Sequence, residues 1–270
     1  MKVISWNIFN GQAANPTQPV PDLSESIQTV VGAIGADILA VQEVDENQPR
    51  SGKVNQMEVI AQAMGAEHWG YARTVMGTPG FSWRSPTNDE KIFHSSSAEP
   101  AYGIGLASRI PVRTWHRIDL AASPVGIFLP FPTKKGFRLR YTHDEPRVAI
   151  VAELDNGFTI TATHLSFVPF WNYFQLKKIK RHVKKLPGHH IIIGDLNIPF
   201  TFPISSRAWK SLVNRKTFPS YKPAVQFDYI LLQEPFGHTL DLQKIVTSEI
   251  SLPVYSMSDH CPIGVEISLS

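Results

Sequence analysis

The sequence predicts an α+β fold in which two mixed β-sheets pack face to face and helices cover them. Three observations carry that expectation. Amphipathic helices alternate with short β-branched strands, as crossovers between parallel strands require. Asp155-Asn156-Gly157 joins two apolar runs as a hairpin turn, so antiparallel pairs are mixed in. Ile191-Ile192-Ile193 reads as a strand buried on both faces. No fixed-period repeat and no linker interrupts the chain, so residues 1–270 are expected to form one domain.

Taken in order, the first strand is Val3-Ile4-Ser5-Trp6, ending in Asn7. Residues 10–23 are a polar, proline-rich loop. Ser24 is then placed to cap a helix whose Ile27, Val30, Val31 and Ile34 face inward and which Gly35 closes. The second strand, 38–42, delivers Glu43. Residues 55–65 form an amphipathic helix ended by Gly65, and a short strand follows near 68–74. Residues 76–100 and 120–146 are expected to be long exposed loops, a feature usually tied to function or mobility. Between them lie strands at 102–108 and 112–118, joined at a turn that Arg109 is expected to fix. Strands at 147–154 and 158–163 flank the hairpin turn. Residues 172–186 form the clearest helix, with Leu176, Ile179, Val183 and Leu186 inward and a solvated Lys/Arg face. A strand at 190–194, a short helix near 205–213 and strands beginning near 227, 238 and 260 complete the chain.

Composition sets the bounds. A hydrophobic content of 43% is enough for a sizeable core, and 18% charged residues argue against disorder. The net charge of +3 permits an anionic substrate without marking a nucleic-acid binder. The one cysteine, Cys261, excludes an intrachain disulfide and a zinc–thiolate cluster. Met1-Lys2-Val3-Ile4 starts directly as a strand, with no signal-peptide pattern and no run long enough to span a membrane. A soluble, cytoplasmic monomer is expected.

The chemistry sits at strand ends. Gly194-Asp195-Leu196-Asn197 delivers an acid and an amide two residues apart, on one side of an extended chain. Taken alone the segment is also a plain turn. The pattern recurs, however, as Asn7, Glu43 and His164 each end a strand, while Asp228 and Asp259-His260 each begin one. If the first strands run one way and the last two the other, all of these groups gather on one rim. Several carboxylates so crowded stay ionised only beside a cation. Their oxygens, with imidazoles and no thiolate, select Mg²⁺ or Mn²⁺, with Glu43 as the first ligand. Such a set suits a phosphoryl centre.

The segments SWNI, AVQEV, GIGLASRIPV, THLS, IIIGDLN, FDYILL and SDHCPIGVEI, in that order, resemble the endonuclease/exonuclease/phosphatase superfamily, and in particular its small bacterial members. The resemblance implies a DNase I-like fold, an α/β/β/α four-layer sandwich, and a Mg²⁺- or Mn²⁺-dependent phosphoric ester hydrolase. It implies that Glu43 binds the metal with Asn7 and Asp259 close by. It implies that Asp195 orients or deprotonates the attacking water and Asn197 positions water or phosphate. His260 would contact the scissile phosphate, held by Asp228, and His164 would be a second phosphate or leaving-group contact. The expected substrate is a phosphodiester, of nucleic acid or of a phospholipid headgroup. Aromatic and basic segments at 167–174 and 128–140 fit either a membrane surface or stacked bases, and equally a covered core edge. A phosphomonoesterase is the alternative, although the inositol-phosphatase signatures are absent around Asp195 and Asp228. A binding protein without catalysis is the reading of another class; degenerate members lose the metal glutamate or the terminal histidine, and this chain has both. Arg147 is expected either to reach a phosphate or to form a structural ion pair.

Overall fold

Strand β1 (Lys2–Asn7) places Val3 in one apolar layer and its neighbour Ile4 in another, so its sheet is covered on both faces. This computed structural model describes the chain apart from residues 16, 92, 95, 96, 134, 135, 200–203, 205, 207, 234–244, 254 and 270. The first sheet also contains β2 (Ile38–Glu46), β3 (His68–Thr78), β4 (Ser82–Arg84), β5 (Ala101–Ser108), β14 (Ile245–Ile250) and β15 (Ile263–Leu269), in the order β14-β15-β1-β2-β5-β3-β4. The second contains β6 (Val112–Leu120), β9 (Arg147–Leu154), β10 (Phe158–His164), β11 (His189–Asp195), β12 (Trp209–Ser211) and β13 (Asp228–Gln233), in the order β12-β13-β11-β10-β9-β6. Strands β7 (Ile127–Thr133) and β8 (Gly136–Thr142) form a separate two-stranded ribbon.

The inner layer is built from alternate residues of both sheets. Val3, Ala40, Ile104 and Leu106 meet Ile150, Ile160, Ile191, Ile193 and Ile230. On the outer face of the first sheet, Ile4, Trp6, Leu39 and Val41 pack against α1 (Leu23–Val30) and α2 (Gln56–Met64) through Ile27, Val30, Met57 and Ile60. On the outer face of the second, Ala149, Val151, Ile192 and Leu231 pack against Leu176, Ile179 and Val183 of α3 (Trp171–Val183). The layers therefore run helix, sheet, sheet, helix, as expected. No helix among the described residues is long and apolar enough to cross a membrane.

Strand directions decide where the polar ends go. β1 runs parallel to β2, and β10 parallel to β11. β15 runs antiparallel to β1, and β13 antiparallel to β11. The exits of the first four and the entries of the last two thus share a rim.

Several local features differ from the sequence reading. The cap of α1 is Asp22, which accepts from the Glu25 N–H at 2.8 Å; Ser24 lies inside the first turn. Asn55 and the left-handed Gly65 bound α2 as expected. Residues 76–100 are not all loop, since β3 continues to Thr78 and turns back through β4. Residues 120–146 contain the β7–β8 ribbon; its prolines mask the strand signal, and a two-stranded ribbon tolerates their missing N–H groups. Where a helix is expected near 205–213, the described residues include the edge strand β12, in which Lys210 pairs with Leu232 of β13. The strand expected near 238 lies outside the described residues. The Arg109 side chain ties its turn to the C-terminal end of α2, donating Nε to the Met64 carbonyl at 3.0 Å, while within the turn the Ser108 hydroxyl bonds to Ile110.

Gly194 has a positive φ of 139°, and a Cβ there would lie 1.9 Å from the Thr163 carbonyl of the neighbouring strand. Only glycine lets β11 approach β10 at the point where Asp195 emerges. Gly194→Ala is expected to cost about 2–4 kcal/mol of stability, read as a lower urea midpoint; an unchanged midpoint would contradict this account.

Candidate active site

The stripe that is apolar between the sheets becomes polar at one end. Along β1 it runs Val3, Ser5, Asn7; along β10 Ile160, Ala162, His164; along β11 Ile191, Ile193, Asp195; along β13 Leu232, Ile230, Asp228. The period of two that buries the first residues aims the last ones into the same gap. Register aligns them further, since His164 pairs with Asp195 and Asp195 with Asp228.

Glu43 arrives by a different device. Between the pairs Val41–Gly105 and Val44–Gly103, β2 carries two residues opposite one, a bulge with Glu43 at φ 57°. The bulge turns the Glu43 carboxylate toward Asn7. The Asn7 carboxamide then bridges the sheets, with Nδ2 donating to Glu43 Oε1 and to Asp195 Oδ2, each at 3.1 Å. Its Oδ1 accepts from the Phe9 N–H at 3.1 Å, which fixes the orientation of the amide. Ser258, at φ 72°, donates its hydroxyl to the Asn7 carbonyl and accepts from the His260 N–H, so the loop before β15 is tied to β1.

The two histidines sit on either side of Asp195. His164 Nε2 is 3.6 Å and His260 Nε2 is 3.7 Å from its Oδ2. Asn197, left-handed at φ 51°, donates Nδ2 to the Leu165 carbonyl and to His164 Nε2 at 3.1 Å. His164 Nε2 is therefore an acceptor, and its proton belongs on Nδ1. Burial, then the charges of Arg147 and His260, hold the His164 pKa well below its ordinary value, so the ring is neutral. His260 is the opposite case. Its burial disfavours charge, but Asp228 and then Asp195 outweigh it and raise the pKa to about 10. The Asp228 contact is a 2.8 Å bond from Nδ1 to a fully buried carboxylate. Phe218 covers the ring at a centroid distance of 5.0 Å. Burial raises Asp195 to about 6, against the attraction of His260. Burial and then repulsion from Asp259 raise Glu43 to about 7.

The donor set fits a hard divalent cation on the Glu43 side. Glu43 and Asp259 repel one another, and Asp259 Oδ1 is buried with no hydrogen-bond partner among the described residues. Asp195, Asp228 and His260 also lie close enough to share an ion. There His260 donates Nδ1 to Asp228 Oδ2 and, protonated, has no lone pair to offer a metal, while Asp228 Oδ1 is buried without a hydrogen-bond partner among the described residues.

All eight expected residues meet at this rim. Sequence reasoning left Arg147 open, and its ion pairs with Glu145 and Asp144 are loose, at 3.5 and 3.8 Å. Its Nε is buried without a hydrogen-bond partner among the described residues, and its guanidinium lies over the Phe167 ring. Sequence reasoning missed Ser258 and Phe218. Ser258 stands in the SDHCPIGVEI segment but its role is not readable there, and Phe218 carries no motif signal, because a left-handed serine and a ring tilted against a histidine are properties of the folded loop.

A sequence profile described as the Endonuclease/Exonuclease/phosphatase family matches residues 4–260. No match is found among curated proteins. Among solved structures, an endonuclease/exonuclease/phosphatase of Beutenbergia cavernae superposes with a TM-score of 0.60 at 17% identity, covering 99% of this chain and 71% of that one. A mannosyl-6-phosphatase of Bacteroides thetaiotaomicron gives 0.57 at 12% identity, over 100% of both chains. Truncated TDP2 of Caenorhabditis elegans gives 0.51 at 15% identity, over 100% of this chain and 97% of that one. At these identities the structural likeness speaks for the fold, and it agrees with a DNase I-like sandwich.

The electrostatics have a sign that stability reads. Raised carboxyl pKa values mean that the folded protein holds protons the unfolded chain has released, between about pH 4 and 7 for Asp195 and Glu43. The raised imidazole pKa does the same from about 6.5 to 10 for His260. Both make stability fall as pH rises. The lowered pKa of His164 acts in the opposite sense below about pH 6.5, so urea midpoints in chelator are expected to decline from pH 7 to 9, and Asp228→Asn is expected to flatten that decline. A midpoint that rises with pH over that range would overturn these assignments.

Proposed function

This chain belongs to the endonuclease/exonuclease/phosphatase family, and from that premise we propose that the rim site hydrolyses a phosphodiester by in-line attack of water. The observation that carries this reading is the Asp195 carboxylate, set between a neutral His164 and a charged His260 and anchored by Asn7. A carboxylate raised to about 6 is ionised above neutrality yet basic enough to accept a proton from an attacking water. The His260 imidazolium, with Nδ1 committed to Asp228, presents Nε2–H to a non-bridging phosphate oxygen, where negative charge builds in the transition state. Neutral His164 and the Asn197 amide orient the water and the phosphate. As the new P–O bond forms, the ester P–O bond breaks and the water proton passes to Asp195.

Glu43 and Asp259, with Asn7 beside them, are the residues that would hold Mg²⁺ or Mn²⁺. A bound cation supplies charge neutralisation at the phosphate and the leaving oxygen. The presence of Glu43, Asp195, Asp228 and His260 in hydrogen-bonded or repulsive contact supports catalysis over a binding-only role.

The test is hydrolysis of bis-p-nitrophenyl phosphate by the purified protein with added Mg²⁺ or Mn²⁺. Asp195→Asn is expected to lower kcat by about 10²–10⁴-fold with the fold retained, and Glu43→Gln is expected to remove the dependence on added cation. Equal turnover in Asp195→Asn would sink the mechanism. Hydrolysis of p-nitrophenyl phosphate alone would assign the site to phosphomonoesters instead.

A further inference from the structure

The β7–β8 ribbon belongs to neither sheet, although a two-stranded ribbon alone is marginal in water. It rises between Leu120 and Arg147, which pair at the ends of β6 and β9. This is the His164 end of the second sheet, because β9 pairs Ala149 with Thr163. Asp144, at the ribbon's base, accepts from the Ser166 hydroxyl just beyond His164. The ribbon therefore stands at the mouth of the rim site.

Its side chains are sorted by face. Phe128 and Tyr141 are a cross-strand pair in edge contact at 5.2 Å, and Leu139 lies two residues from Tyr141 on the same face. Phe128 is 64% exposed, Leu139 66% and Tyr141 44%. Arg138 and Arg140 alternate with them, also exposed. Arg140 reaches the Gly80 carbonyl at the β3–β4 turn, where Phe81 is 84% exposed. On the other side Phe170, at the start of α3, is 79% exposed.

Water is a poor partner for this much apolar surface on three elements around one mouth. We infer that the β7–β8 ribbon docks the protein on a phospholipid surface, its apolar face in the acyl boundary and Arg138 against lipid phosphates. Two features favour lipid over stacked bases. Leu139 and Val125, which is also exposed, have no π-face to stack, and the alternation of apolar and basic positions is that of an interfacial amphipathic element. The inference rests on the phosphoesterase reading only in that the docked site would face headgroup phosphates.

The test is co-sedimentation with phosphatidylcholine vesicles containing phosphatidylglycerol, comparing wild type with a Phe128→Ser, Leu139→Ser double variant. Hydrolysis of bis-p-nitrophenyl phosphate serves as the soluble control. Wild type is expected to sediment, and the variant to bind at least about tenfold more weakly with its soluble turnover unchanged. Wild type left in the supernatant, or a variant that binds equally well, would overturn the inference. So would a loss confined to binding of a single-stranded oligonucleotide, which would make the ribbon a base-stacking platform. Vesicle binding without soluble turnover would support the docking while sinking the proposed reaction.

Discussion

One side chain joins the two halves of the rim. Asn7 ends a strand of the first sheet, and its amide holds Glu43 of that sheet and Asp195 of the other at the same distance. Neither carboxylate can move independently of the sandwich, because each hangs on an amide that is itself fully buried and fixed by the Phe9 N–H. A buried amide with all its groups paired is rigid, and one left half-paired is costly. The rim geometry therefore inherits the precision of the inter-sheet packing.

Around that bridge, backbone strain concentrates. Glu43, Asn197 and Ser258 all adopt positive φ without being glycine, and all lie beside the site. Each conformation redirects a polar group that regular strand geometry would send elsewhere. The core between the sheets holds them there. The result is a set of groups in contrasting states: a charged imidazole fixed by Asp228, a neutral one fixed by Asn197, and carboxylates whose burial raises their proton affinity.

Much of this was legible in the sequence because the rim depends on strand period. Asn7, His164, Asp195 and Asp228 extend stripes whose apolar members are plain in the sequence, and antiparallel returns bring Asp228 and His260 to the same end. Glu43 was legible as a residue but not as a geometry, since a bulge is a property of the pairing of β2 with β5. Pro130 and Pro132 interrupt the β7–β8 ribbon and give it the composition of a loop, and β12, a three-residue edge strand, leaves no period to count. What holds His260 in place, the Phe218 ring and the Ser258 hydroxyl, comes from loops whose shape no local pattern encodes.

The central claim is that two histidines across one carboxylate hold different protonation states. Nitrogen-15 NMR of the imidazole rings at pH 8 tests it most directly. The account predicts His260 protonated at both nitrogens and His164 neutral with its proton on Nδ1. A neutral His260, or a His164 titrating near its ordinary value, would contradict it.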